Sequence, residues 1–405
     1  MTALTDIPSR PAAQHIARAS ATTTSRDIRL DFYRGIAMCI ILIAHIPYNR
    51  FSNYIPARFG FSDATEIFVF CSGMASAIAF GRVFATRGLG YGTLRIGYRV
   101  WQVYWAHIGL FFAIAVTMAA LDGTGLFEKV YLTALNLHPF FDATEQNLIG
   151  LMTLSYVPNY FDVLPMYLGI LAMIPVMMAL ASVHPALALG ASAALWAVTQ
   201  TGALSLGAEP WSEREWFFNP FGWQLIFFTG FGFMRGWFPK PPVKPVLVAV
   251  AIVLLIAVVP FARWQIWTHI PWIEAWRDAN RVLIAKTDFG ILRYAHFLLL
   301  AYVAWVLAGP GGSHIRADGD GLGARIWGVV LRCILKIGQQ SLAVFITSMW
   351  LAQMLGVLLD VTGRGLGAVW FANLIGIACI TATAFFVGWI KSHPWRDAPA
   401  KATGA

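Results

Sequence analysis

An arginine and a histidine at opposite ends of one apolar helix can hold an anion at one end and accept a proton at the other. The segment RLDFYRGIAMCIILIAHIP, residues 29–47, has that form. Arg34 and His45 are 11 positions apart, which on a helix is about three turns and roughly 16 Å, on one face. An ionisable side chain at the centre of a bilayer costs about 2.5–3.5 kcal/mol and marks a functional position by default. The plainer alternative has Arg34 reaching to the interface and His45 packed as an interfacial histidine. Further along, FSDATEIFVFCSG places Asp63 and Glu66 three residues apart on one helical face, above a stripe that continues through Phe70, Gly73, Ala77 and Gly81. Small residues at that spacing allow close helix packing. With a short loop from His45 to Asp63, the two helices pair as a hairpin, and a carboxylate then orients the imidazole as a general base. Helix-capping is the competing role for both acids. Asp162, between Pro158 and Pro165, either assists the histidine or caps a helix. Arg293 and His296 share a face, and a buried arginine there either holds a carboxylate or phosphate as a bidentate pair or snorkels to the interface. In NPFGWQL, Trp223 and Gln224 offer aromatic and polar groups at another membrane entrance.

The elements that must position these residues are membrane helices. Of 405 residues, 58% are hydrophobic and only 12% charged, against about 25% charged in soluble chains. The net charge of +9 is dispersed between apolar segments rather than gathered on a polar domain, which argues against a nucleic-acid partner. The four cysteines show neither CxxC nor Cys/His spacing, so neither disulfides nor a metal site is expected. Windows of about 20 apolar residues fall near 33–49, 64–81, 101–120, 163–181, 186–204, 219–237, 245–262, 290–308, 338–359 and 367–390. The expected fold is therefore an all-α polytopic bundle of about ten transmembrane helices. Lys and Arg concentrate on the loops that place both termini in the cytoplasm. Residues 1–25 read as a flexible tail, 26–392 as the transmembrane domain and 393–405 as a second tail. The stretch 121–162 has the character of an interfacial segment, and the glycine-rich 309–323 of a cytoplasmic loop. A transporter or exporter of a saccharide or anion would share this composition, but no paired repeat of broken helices supports one.

Six blocks in order, RDIRLDFYRGIAMCIILIAH, FSDATEIFVFCSG, NYFDVLPMY, NPFGWQL, LRYAHF and GQQSLAVF, resemble the OpgC family, the succinyltransferases of osmoregulated periplasmic glucans within the acyltransferase-3 group. The resemblance spans about residues 26–390 and implies ten helices and an acyltransferase of the bacterial inner membrane. It also implies succinyl transfer from cytoplasmic succinyl-CoA to a periplasmic glucan. The family's arginine-to-histidine motif falls on Arg34 and His45, and its SG pair on Ser72 and Gly73. With an acyl-CoA as donor, its nucleotide stays among Arg29, Arg34, Arg82, Arg95 and Arg99 while the pantetheine arm threads along the first helix. His45 then takes the glucan hydroxyl's proton, assisted by Asp63, Glu66 or Asp162. Direct transfer needs no covalent intermediate, although a succinyl-histidine relay stays open. Arg293 is expected to meet the succinyl carboxylate, with His296, Trp223 and Gln224 near the acceptor. Outer tryptophans such as Trp211, Trp264 and Trp272 either stack on sugar rings or anchor the interface. Membrane lipid is a further expected partner, and self-association into a homodimer is left open.

Overall fold

The computed structural model describes residues 27–395; the tail expected over 1–25 and most of that over 393–405 lie outside them. Every regular element of the described chain is a helix, and one isolated bridge joins Gly207 and Glu215. It opens with α1 (Arg29–His45), α2 (Ala64–Gly123), α3 (Tyr131–Ala134), α4 (His138–Asp142), α5 (Thr144–Thr153), α6 (Val163–Val183), α7 (Pro185–Thr199) and α8 (Pro220–Arg235). It continues through α9 (Pro245–Ala262), α10 (Trp264–Trp267), α11 (Pro271–Ala279), α12 (Arg281–Ile284), α13 (Ile291–Ala308), α14 (Leu322–Gln339), α15 (Ser341–Thr362) and α16 (Leu366–Ile390).

Six of these, α2, α6, α9, α13, α15 and α16, are long and apolar enough to cross a membrane. The count differs from the ten expected for two physical reasons. First, α2 runs for 60 residues and absorbs two of the expected spans. Its single break is Gly88, at φ 78° and ψ −179°, a conformation open to glycine and costing other residues about 1–3 kcal/mol. Residues from both sides of the break line a common cavity, so the two arms fold back against each other. Second, α1, α7 and α8 have 17, 15 and 16 residues, at or just below the shortest helices that reach across the hydrocarbon core unaided.

α1 packs beside α2, as the hairpin reading expects, and also against α14 and α15, while α2 packs most extensively on α8 and α6. The α2–α8 crossing is a backbone contact. A Cβ at Gly73 would stand 2.0 Å from the Phe227 carbonyl oxygen, and one at Gly230 would stand 2.3 Å from that of Phe70. This accounts for the small-residue stripe below Glu66. Gly73→Ala should therefore force the helices apart at a cost of about 1–3 kcal/mol, read as a lower unfolding temperature of the detergent-solubilised protein. An unchanged temperature would show that the crossing can relax.

Candidate functional site

α1 joins two sites. At its C-terminal end, His45 is half-buried and its Nδ1 lies 2.7 Å from the Ile41 carbonyl oxygen. A carbonyl only accepts, so Nδ1 carries the proton and Nε2 keeps its lone pair. Among the described residues no group hydrogen-bonds Nε2. Tyr160 packs edge-on against the imidazole at 5.4 Å and donates its hydroxyl to the Met349 carbonyl at 2.6 Å.

The carboxylates expected to orient this imidazole are engaged elsewhere. Asp63 is the N-cap of α2, accepting from the Thr65 N–H at 2.6 Å, while Glu66 accepts from the Asp63 N–H at 2.8 Å. The second oxygen of each acid meets a cation more than 200 positions away. Asp63 takes the Lys286 ammonium at 2.5 Å. Glu66 takes Nε and Nη2 of Arg293 at 2.8 and 2.5 Å. Arg293 also lies 3.8 Å from Asp63. The four formal charges sum to zero, as groups with little access to water require. The reading of Asp63 and Glu66 as direct orienters of His45 is thus corrected: the tautomer is set by the helix's own carbonyl, and the acids combine capping with ion pairing. His296 joins the same end, its Nδ1 accepting from the Ser62 hydroxyl at 2.7 Å and the Ser62 N–H at 3.3 Å.

Asp162 is buried and accepts from the Phe217 N–H at 3.2 Å. It makes no side-chain capping bond and no hydrogen bond to His45; it ties the extended segment before α8 to the start of α6. Trp223 and Gln224 are fully buried, so neither faces an acceptor. Trp223 donates to the Lys286 carbonyl at 2.8 Å, fixing the backbone that carries Lys286. Gln224 accepts from the Ser192 hydroxyl at 2.6 Å and donates to its carbonyl at 2.8 Å, joining α8 to α7. Of the outer tryptophans, Trp211, Trp264 and Trp272 are exposed, whereas Trp216 is buried.

At the other end of α1, the Arg34 guanidinium bonds the Ser341 hydroxyl, and its buried Nε has no partner. Arg34 lines a cavity of about 240 Å³ with Ser72, Ser76, Arg95, Tyr98, Arg99 and Gln102. An adjoining cavity of about 530 Å³ adds Arg82 and Arg87 and shares Arg95 and Tyr98. Four of the five arginines expected to bind the donor are thereby brought together. Arg29 is not among them, because its guanidinium is held by Asp27 at 2.6 Å and by the Gly309 carbonyl at 3.2 Å. The structure adds Arg87, Ser76, Tyr98 and Gln102. The sequence signal for Arg87 was its place among the basic residues flanking the second span, but the break at Gly88 that gathers them has no comparable signature.

No curated protein and no solved structure matches this chain. The model of the OpgC protein family matches residues 26–392. A match over nearly the whole chain, including both ends of the arginine-to-histidine helix, shows that this membrane protein belongs to the OpgC family.

Proposed function

We propose that the protein is an O-acyltransferase of the bacterial inner membrane that moves a succinyl group from cytoplasmic succinyl-CoA to a hydroxyl of an osmoregulated periplasmic glucan. The observation carrying this reading is the polarity of α1. A half-buried guanidinium, bonded to Ser341 but with a buried, unpartnered Nε, borders an arginine-rich cavity at one end, and an imidazole with an unengaged Nε2 stands at the other.

Arg82, Arg87, Arg95 and Arg99 supply fork-shaped donors for phosphates on the cytoplasmic side. The slender acyl-bearing arm runs past Arg34 along α1, so the thioester reaches His45 while the nucleotide stays behind. Nε2 accepts the acceptor hydroxyl's proton as that oxygen attacks the thioester carbonyl. The new C–O bond replaces the C–S bond, and the departing thiolate takes the proton back from the imidazolium. No covalent enzyme intermediate is needed for this balance.

The test is acyl transfer without a compartment boundary. Detergent-solubilised protein given labelled succinyl-CoA and purified glucan should yield labelled glucan, and the absence of any transfer would overturn the reading. A second expectation concerns the donor cavity. Removing a charge-assisted contact costs about 1.5–3 kcal/mol, so Arg95→Gln and Arg99→Gln should each raise KM for succinyl-CoA by about tenfold or more. The turnover number should change far less, because phosphate contacts made equally before and during chemistry act on binding. A fall in kcat with unchanged KM would place these arginines outside donor binding.

A further inference from the structure

α14 occupies a stretch that the sequence windows leave almost wholly unassigned, between the loop at 309–323 and the span at 338–359, and its 18 residues carry no acid. It has three distinct faces. One, through Leu331, Ile334, Leu335 and Gly338, packs on the first turns of α1. The contact is close enough that a Cβ at Gly338 would stand 1.9 Å from the Asp31 carbonyl oxygen. A second face bears Arg325, Arg332 and Lys336 at helical spacing. The third is apolar and uncovered: Leu322, Ile326, Val329 and Val330 are 75, 56, 50 and 41% exposed. Ile326 lies four residues after Leu322, and Val329 and Val330 lie three and four after Ile326, so the four form a continuous stripe. Three cations keep α14 out of the set of helices able to cross a membrane.

We infer that α14 lies in the membrane plane at the Arg34 end and docks on anionic glycerophospholipid. Its apolar stripe sinks below the headgroups, and Arg325 and Arg332 hold their phosphates. Charge complementarity selects this occupant. An uncovered apolar stripe bordered by arginines on an acid-free helix matches the boundary between acyl chains and negative headgroups, which attracts cations within about a Debye length. Asp318 and Asp320 are exposed in the preceding loop; they act against this attraction at the helix N-terminus only, and Arg332 lies more than two turns beyond them. Lys336 is turned toward α16, where its ammonium sits 5.9 Å over the Phe385 ring, leaving the two arginines as the lipid-facing charges.

The test uses the full-length protein in nanodiscs of phosphatidylcholine with stepped additions of phosphatidylglycerol. Lipid retained after gentle release is counted by native mass spectrometry, and amide exchange is followed in peptides from 322–339. The wild type should retain phosphatidylglycerol preferentially and show slower exchange in α14 as its fraction rises. Arg325→Gln/Arg332→Gln should lower the preference by about an order of magnitude without altering exchange elsewhere, and Ile326→Ser/Val329→Ser should weaken retention of both lipids. Equal retention of the two lipids by the wild type, or an unchanged preference in the arginine variant, would overturn the inference. A wild-type dimer that Ile326→Ser/Val329→Ser converts to monomer would overturn it too, by showing a second copy on the stripe. None of these readouts depends on acyl transfer, so the proposed function stands or falls separately.

Discussion

Replacing His45 with alanine is expected to lower acyl transfer by about 10²–10⁴-fold while the protein stays folded. The imidazole ends α1 rather than sitting inside a helix crossing. Among the described residues its hydrogen bond is to Ile41 of its own helix, and its aromatic neighbour is Tyr160 at 5.4 Å. Truncation therefore removes little packing and leaves no buried charge alone. What it removes is the Nε2 lone pair, since the Ile41 carbonyl occupies the proton on the other nitrogen. The same geometry limits the acids. No carboxylate hydrogen-bonds Nδ1 among the described residues, so Asp63 and Glu66 act chiefly through the loop and helix they hold. Initial rates with labelled succinyl-CoA, beside the unfolding temperature of each variant, check this. Wild-type activity in a well-folded His45→Ala protein would end the general-base assignment.

How far the sequence carried this site depends on the range of the interaction. The placement of Arg34 and His45 along one helix is a local property of spacing, and it was legible. The same holds for the capping role of Asp63 and Glu66, since an acid followed three residues later by a glutamate is a known way to satisfy the first N–H groups of a helix. Partner choice was not legible. Nothing near Glu66 announces that Arg293, 227 positions away, will hold it, and two aromatic or polar residues at an apparent entrance, Trp223 and Gln224, turned out to brace neighbouring backbone. Composition windows also misjudged elements whose charge is not spread evenly. α14 carries its cations on one face and apolar residues on another, so averaged hydropathy assigned no element to 324–337, which make up most of it. The fold-back of α2 rests on one glycine's positive φ, which the four other glycines in 81–97 obscured.

Arg293→Gln should reduce transfer from succinyl-CoA and from acetyl-CoA by the same factor, and should lower the unfolding temperature. From the sequence, a lone arginine in the outer half of a span was the natural partner for the succinyl carboxylate, which predicts selective loss of the succinyl donor. In the structure that guanidinium already serves a carboxylate: both its Nε and Nη2 bonds go to one oxygen of Glu66, whose side chain is 0% exposed. Deleting the cation strands that charge with a single backbone N–H, that of Asp63 at 2.8 Å. Breaking a buried pair from one side costs about 3–5 kcal/mol, far more than an exposed pair would. The neutral double variant Glu66→Gln/Arg293→Gln leaves no charge stranded and should recover most of the lost stability, which separates the pair's structural role from any contact with substrate. Asp63→Asn should be milder than Glu66→Gln, because Asp63 keeps 14% of its side chain exposed and water can take up part of the loss. Measuring both donors and the unfolding temperature across this set decides between the readings. A fall confined to succinyl transfer, with the unfolding temperature of Arg293→Gln unchanged, would return Arg293 to donor recognition and require Glu66 to release it when succinyl-CoA binds.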